Sequence, residues 1–199
     1  MTQLEELLER EGVTKPITLL GYSMGGSIAA CFAAANPDRI DRLVLLAPAG
    51  MGLTHHKLTN FIAKTQVIGD WLMLALFPTM FRRGIKAEQA DSASVASVHK
   101  GQHAQLDYKR YVAAVLASRR GILREVLRDE HRAIHASGIP VLAIWGGNDQ
   151  VIPQTAIGSL AEWNRAVEHE VISGAGHGLP YTHANEVIAK IRDHLFDAT

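Results

Sequence analysis

At residues 17–26 the chain reads ITLLGYSMGG, a stretch that changes character halfway along its length. Pro16 precedes the short apolar run at 17–20, which is typical of a buried parallel strand. A glycine-rich turn follows, and the small apolar residues at 28–35 then predict a helix that packs closely on a sheet. A strand, a tight turn and a helix in direct succession are typical of an α/β fold.

Three further apolar runs predict buried strands of the same kind, and they lie at residues 43–47, 139–145 and 168–172. Helical patterns alternate with these runs, from an amphipathic helix at 2–11 to a last helix at 184–196. This alternation predicts an α/β fold whose parallel sheet has about four strands.

Residues 50–137 break the alternation. They contain no convincing strand and several helical patterns, including those at 111–116 and 122–127. We interpret this segment as a helical lid or cap inserted between the second and third strands. The predicted organisation is therefore a core made of residues 1–49 and 138–199, with 50–137 as the insertion.

The composition excludes several classes of protein. Lys+Arg and Asp+Glu are both 20, so nothing favours a nucleic-acid or membrane-surface partner. Cys31 is the single cysteine, so no disulfide forms within the chain, and the first ten residues contain no apolar signal-peptide core. The apolar run at 67–77 is interrupted by Asp70 and is too short to span a bilayer. We expect a cytoplasmic protein whose partner is a small molecule.

Ser23 lies at the sharp turn between the predicted strand and helix. A serine hydroxyl is a weak nucleophile unless a base is held beside it, and a turn of this kind presents the hydroxyl above the sheet. Gly21 and Gly25 are expected to avoid collisions where the backbone folds back. The backbone N–H of Met24 is the predicted donor to a developing oxyanion. A chance Gly-x-Ser-x-Gly match is the alternative, and the strand–turn–helix context argues against it.

Asp149 and His177 are the predicted partners of Ser23. Each follows a predicted strand in a glycine-rich loop, and the carboxyl ends of parallel strands meet at one edge of a sheet. The chain order Ser, Asp, His also suits a serine on a strand-to-helix turn. We expect His177 to take the serine proton and Asp149 to hold the imidazole in the correct tautomer.

The other histidines suggest no metal site. His99 and His103, like His131 and His135, are spaced i,i+4 on predicted helices, a spacing that is able to bind zinc. No Glu-bearing metal motif accompanies either pair, so a solvated helix face is the preferred interpretation. We predict no metal and no cofactor.

The run at 68–77 is apolar nearly all round. One interpretation is a buried lid helix, and another is an acyl-binding wall above Ser23. The two interpretations are compatible, because one helix is able to serve both purposes. The predicted substrate contacts within it are Trp71, Leu72, Leu74 and Leu76.

Five segments together resemble the α/β-hydrolase fold family, namely residues 21–27, 36–40, 43–48, 146–153 and 174–177. The similarity is closest to bacterial carboxylesterases and monoacylglycerol-lipase-like members, and it covers the chain outside the lid. It implies a serine hydrolase that cleaves a carboxylic ester through an acyl-enzyme, with Ser23, His177 and Asp149 as its triad. A thioesterase or a C–C bond hydrolase uses the same triad, and the sequence does not separate these activities.

The resemblance also implies a partial α/β-hydrolase fold. In the family, several strands precede the nucleophile strand and an early loop supplies a second oxyanion donor, whereas Ser23 lies close to the start of this sequence. We therefore expect Met24 as the one oxyanion donor and an open apolar edge at residues 17–20, which favours self-association. An N-terminally truncated, inactive remnant or interaction module is the alternative to an active enzyme.

Overall fold

The structure is a computed structural model that describes residues 2–52, 62, 64, 65, 67–87 and 93–196. The first half of the core consists of helix α1 (Thr2–Arg10), strand β1 (Ile17–Tyr22), helix α2 (Met24–Ala35) and strand β2 (Ile40–Leu46). The predicted helix at 2–11 and the predicted strand–turn–helix are both confirmed.

The rest of the described chain alternates less regularly. Before the third strand come helices α3 (Ile68–Ala87), α4 (Ala93–Gln105), α5 (Tyr111–Arg120) and α6 (Arg128–Ala136). The chain then forms β3 (Val141–Gly146), α7 (Thr155–Trp163), β4 (Val167–Ile172), the short helix α8 (Leu179–Thr182) and α9 (Ala184–Phe196). None of the helices within the described ranges has the length and apolarity needed to cross a membrane.

The four strands form one parallel sheet, as the sequence predicts, and the structure gives their order as β1-β2-β3-β4. The inner strands are the most apolar because they are covered on both faces. Every residue of β3 is buried, and in β2 Leu43, Val44 and Leu45 are each 0% exposed. Helix α2 contacts β1 and β2, while α9 contacts β3 and β4.

Strand β1 is an edge strand among the described residues, since it pairs with β2 alone. Its side chains are correspondingly less covered, and Leu20 is 49% exposed. On the helix that follows, Ile28 is 44% exposed. The apolar edge at residues 17–20 is therefore present, while self-association through it stays a prediction.

The helices of the predicted insertion belong to two apolar clusters. Met73 of α3 and Leu116 of α5 form a small cluster together with Ile62. Ile134 of α6 instead lies in the main core, where α6 packs against α2. The boundary of the insertion at residue 137 stays a prediction, although α6 packs as part of the core.

The helix predicted at 122–127 is not formed. Residues Ile122–Arg124 make one 3₁₀ turn, and Val126 then forms an antiparallel bridge with Met51. The N–H of Leu127 donates to the carbonyl of Gly50 at 2.8 Å, and the Leu127 side chain is buried in the main core. The chain is extended here because Leu127 packs in the main core and its N–H pairs with Gly50. The local apolar pattern does not reveal these contacts, since Gly50 is far away in the sequence.

Candidate active site

Ser23 is the single residue between β1 and α2. Its backbone has φ 52° and ψ −118°, a conformation that is strained for a residue with a side chain. The N–H of Ser23 donates to the carbonyl of Leu46 at 2.9 Å, and the N–H of Ala49 donates to the carbonyl of Ser23 at 3.0 Å. These hydrogen bonds to the end of β2 and its loop hold the strained turn in place.

The turn requires glycine at two positions. A Cβ on Gly21 would lie 2.5 Å from the carbonyl oxygen of Gly25, and a Cβ on Gly26 would lie 2.7 Å from the Cβ of Pro48. A Cβ on Gly25 would meet no atom within 4 Å. The expected collision is thus found at Gly21 but is wrong for Gly25, because the close approach to the loop after β2 falls one residue later, at Gly26.

The structure brings the three predicted catalytic side chains together. His177 Nε2 lies 2.9 Å from Ser23 Oγ, and His177 Nδ1 lies 2.8 Å from Asp149 Oδ2. Since an ionised carboxylate only accepts hydrogen bonds, Nδ1 carries the proton and Nε2 is left to accept from the serine hydroxyl. This arrangement places a base beside a hydroxyl, which is the requirement for nucleophilic attack by serine.

Asp149 is firmly held in its ionised form. Its Oδ1 accepts hydrogen bonds from the N–H of Val151 at 2.7 Å and of Ile152 at 2.9 Å, and its side chain is 3% exposed. Burial alone raises the pKa of this carboxyl, but the hydrogen bonds from His177 and the two backbone N–H groups outweigh it, so the pKa lies below its usual value. A fixed carboxylate is the group needed to orient an imidazole.

The loops that carry Asp149 and His177 pack tightly against each other. A Cβ on Gly146, at the end of β3, would lie 2.6 Å from the carbonyl oxygens of both Ala175 and Gly176. The N–H of Asn148 donates to the carbonyl of Ala175 at 2.8 Å. The glycine-rich sequences noted above therefore serve to bring these two loops into contact.

Tyr22 belongs to the candidate site, although it is absent from the residues predicted from the sequence. Its hydroxyl donates to the carbonyl oxygen of His177 at 2.9 Å, and its ring centroid lies 5.3 Å from that of His177. The signal that could have found it is its position directly before Ser23, at the carboxyl end of β1. Tyr22 thereby ties the histidine loop to the nucleophile turn.

Met24 is the first residue of α2. The first N–H groups of a helix have no acceptor within it, and they lie at the positive end of the helix dipole. The N–H of Gly26, by contrast, already donates to the carbonyl of Ser23 at 2.9 Å. Met24 as the oxyanion donor stays a prediction that this position favours.

A cavity of about 600 Å³ opens beside His177. Helix α3 supplies its apolar wall through Phe77, Met80, Phe81 and Ile85, which recur at helical spacing. The remaining lining side chains are polar or aromatic for the most part, namely Tyr22, Gln102, Arg119, Asn148, Gln150 and Tyr181. None of these residues is among the substrate contacts predicted from the sequence.

The four predicted substrate contacts lie elsewhere on α3. Trp71 is 74% exposed, and Leu74 lines a separate cavity of about 640 Å³ between α3 and α5. Leu72 and Leu76 line a cleft of about 30 Å³. Helix α3 therefore lies beside the site, as predicted, but the residues that line the cavity at His177 come later in the helix, from Phe77 to Ile85. The packing of α3 against α5 sets the rotation of α3 about its axis and so decides which residues face the cavity.

His131 departs from its predicted environment. It is 1% exposed and stacks on Trp163, with ring centroids 6.3 Å apart, whereas its i+4 partner His135 is exposed. Burial lowers the pKa of His131 to about 4. The solvated-face interpretation is thus wrong for His131. Within the described parts of the chain, no group of three or more His, Cys, Asp or Glu side chains is placed to hold a metal ion.

The chain matches the alpha/beta hydrolase fold family over residues 2–184, and it belongs to that family. The fold and the order of Ser23, Asp149 and His177 agree with this assignment.

Curated relatives include enzymes that act on different substrates. The chain is 27% identical over 181 residues to 2-hydroxymuconate semialdehyde hydrolase of Pseudomonas sp. (strain CF600), covering 90% of this chain and 62% of that protein. It is 26% identical over 196 residues to monoacylglycerol lipase abhd6-B of Xenopus laevis, covering 89% of this chain and 54% of that lipase. The chain thus spans little more than half the length of these relatives.

Among solved structures, the chain resembles a thermophilic esterase from Thermogutta terrifontis, with a TM-score of 0.72 and 22% sequence identity. The similarity covers 96% of this chain and 69% of the esterase chain. At this identity the likeness shows a shared fold.

Proposed function

We propose that this protein is a serine hydrolase that cleaves carboxylic esters with Ser23 as nucleophile. The observation that carries the proposal is the continuous hydrogen-bonded chain from Ser23 Oγ through His177 to Asp149, with distances of 2.9 and 2.8 Å. A serine is activated when a base lies within hydrogen-bond reach of its hydroxyl and a third group orients that base.

The reaction proceeds in two halves. Ser23 Oγ attacks the acyl carbon while its proton passes to His177 Nε2, and the N–H of Met24 donates to the oxyanion that forms. His177 then gives this proton to the leaving alkoxide, which departs as the alcohol and leaves an acyl-enzyme. Water attacks that ester, its proton passes to His177, and release of the acid returns the proton to Ser23. Asp149 stays ionised throughout and holds the imidazole.

The cavity beside His177 suits a small amphiphilic substrate. Its volume of about 600 Å³ lies within the usual range for small-molecule sites. The wall made by Phe77, Met80, Phe81 and Ile85 offers apolar contact to an acyl or alcohol chain. The similarity to a monoacylglycerol lipase supports an ester of this general kind.

Covalent labelling tests the proposal. A fluorophosphonate probe should label the parent chain at Ser23, whereas the Ser23→Ala variant should stay unlabelled. Ser173→Ala, which removes an exposed hydroxyl on the histidine loop, is the matched control and should label like the parent. Absence of label on the folded parent chain, which is the result expected of an inactive remnant, would overturn the proposal.

C–C bond hydrolysis is a second candidate, favoured by the similarity to a 2-hydroxymuconate semialdehyde hydrolase. The same three side chains serve that reaction, so labelling does not separate the two activities. The direct comparison is turnover of 2-hydroxymuconate semialdehyde against p-nitrophenyl esters of varied acyl length. Faster turnover of the semialdehyde, lost in Ser23→Ala, would replace ester cleavage as the conclusion.

A further inference from the structure

Arg119 lies near the end of α5 and lines the cavity beside His177. In the part of the chain that the structure describes, its guanidinium has no hydrogen bond and no ion pair. Its neighbour Arg120 differs, since it lies 2.7 Å from Asp70 Oδ1 and donates to the carbonyl of Thr65 at 2.8 Å. The two adjacent arginines thus have different environments, since Arg120 is paired with Asp70 and Thr65 while Arg119 faces the cavity.

The guanidinium of Arg119 has lost part of its hydration. Burial lowers the pKa of Arg119, but a guanidinium is so weakly acidic that it remains charged near neutral pH. Arg119 also lines the small apolar cleft that contains Leu72 and Leu76, so apolar side chains surround it on that side. A half-buried charge without a partner is costly, and an anion that enters the cavity would remove that cost.

No counter-ion for Arg119 is found among the described residues that line the cavity. Among its described lining residues there is no Asp or Glu, and the polar side chains include the amides Gln102, Asn148 and Gln150. The Gln102 side-chain oxygen is buried without a hydrogen-bond partner. Gln102 lines the same cavity as Arg119, and its amide carries an NH₂ donor besides this oxygen.

We propose that Arg119 binds a carboxylate of the substrate, so that the enzyme prefers esters that carry a second, ionised carboxyl group, such as monoesters of dicarboxylic acids. This inference rests on the proposed ester hydrolysis. The planar guanidinium matches a carboxylate with two parallel hydrogen bonds, and Gln102 adds a third donor. The apolar wall of α3 receives the carbon chain between the carboxylate and the scissile bond.

Paired substrates test the charge directly. The p-nitrophenyl monoester of glutaric acid carries the carboxylate, and its methyl ester has nearly the same shape without the charge. We expect the parent chain to favour the acid in kcat/KM by about 10- to 100-fold, the range for a charge-assisted hydrogen-bonded pair. No preference for the acid in the parent chain would overturn the inference without any variant.

Variants identify the residue responsible. Arg119→Gln should lose the preference for the acid while kcat/KM for the methyl ester stays within about threefold, and Arg119→Lys should retain part of the preference because it keeps the charge but not the fork. Arg83→Gln, an exposed arginine on α3, is the matched control and should leave both rates unchanged. Equal loss with both esters would show a structural role and contradict carboxylate binding.

A binding measurement separates failure of this inference from failure of the proposed hydrolase. Glutarate should bind the Ser23→Ala chain in calorimetry, and Arg119→Gln in that background should weaken binding about tenfold or more. If glutarate binding depends on Arg119 but the parent chain takes no fluorophosphonate label, the anion site stands and the proposed hydrolase is rejected. If the parent chain hydrolyses esters but glutarate binding does not depend on Arg119, the hydrolase stands and the carboxylate site is rejected.

Discussion

At the residue scale, the nucleophile turn is a place where single atoms decide the geometry. Ser23 occupies a strained backbone conformation because the chain must reverse between β1 and α2 in one residue. Gly21 and Gly26 leave room for that reversal, while hydrogen bonds to Leu46 and Ala49 hold it. The turn therefore depends on glycine at these two positions as much as on the hydrogen bonds that hold it.

Substitution of the turn glycines tests this account. Gly21→Ala should destabilise the protein by about 2–4 kcal/mol, because the new Cβ meets the backbone of Gly25, which cannot move without distorting the turn. Gly25→Ala is the matched control, and it should be neutral or stabilise by up to about 1 kcal/mol through helix propensity. Urea unfolding measures both. Similar stability of the two variants would contradict the steric argument.

Tyr22 acts on catalysis through His177. Tyr22→Phe removes the hydroxyl that donates to the carbonyl of His177, so we expect a loss of about 1 kcal/mol in stability and a several-fold fall in kcat with KM nearly unchanged. Tyr108→Phe alters a tyrosine that is 66% exposed and serves as the control. Unchanged kcat in Tyr22→Phe would show that the hydrogen bond does not position the imidazole.

At the element scale, α6 shows how a polar pattern is overridden by packing. The helix contacts α2 and α7, and this places Ile134 and His131 in the interior. His131 then stacks on Trp163, and its Nδ1 has no hydrogen-bond partner among the described residues. The neutral imidazole is the form that this apolar site accepts.

The buried His131 should make stability depend on pH. Its pKa is about 4 in the folded protein against 6.5 for the exposed group, so well above pH 6.5 both states are neutral and the titration of His131 makes no contribution to stability. As pH falls from 6.5 towards 4, the unfolded chain binds the proton and the folded chain does not, which costs up to about 3 kcal/mol. Thermal unfolding from pH 7.5 to 4.5 measures this loss.

A variant isolates the contribution of His131. His131→Gln should be less stable at pH 7.5 yet lose less stability on acidification than the parent chain, since glutamine does not titrate in this range. His135→Gln changes an exposed histidine on the same helix and should keep the pH dependence of the parent. Parallel pH profiles for parent and His131→Gln would reject the assignment.

At the scale of the whole molecule, the sheet has an exposed apolar edge. Strand β1 pairs with β2 alone among the described strands, and Leu20 is 49% exposed on it. An unpaired strand offers a row of N–H and C=O groups to another chain, and apolar side chains add to the attraction. We propose that the chain self-associates through residues 17–20.

Sedimentation at several protein concentrations tests self-association. The parent chain should form larger species as its concentration rises, and Leu20→Lys should shift the distribution towards monomer because a charge on an edge strand opposes pairing. Ile188→Lys, at a position that is 45% exposed on α9, is the matched control and should behave like the parent. A monomeric parent at all concentrations would contradict the proposal.

The sequence alone determined the alternation of strands and helices and the parallel sheet, and it predicted Ser23, Asp149 and His177 as the catalytic residues. These features were readable because each depends on a short segment: an apolar run, a glycine-rich turn, or a polar residue directly after a strand. Parallel strands place their carboxyl ends at one edge, so three distant segments could be assigned to one site before any distance was known.

Only the tertiary structure decided which side chains surround that site. The rotation of α3 turns Phe77 and Phe81, rather than Trp71 and Leu74, towards His177, and the packing of α6 buries His131. The environment of Arg119 likewise depends on which groups other helices bring to α5. A local pattern shows that a helix is apolar or polar, but its orientation is set by contacts with segments far away in the chain, and those contacts exist only once the chain has folded.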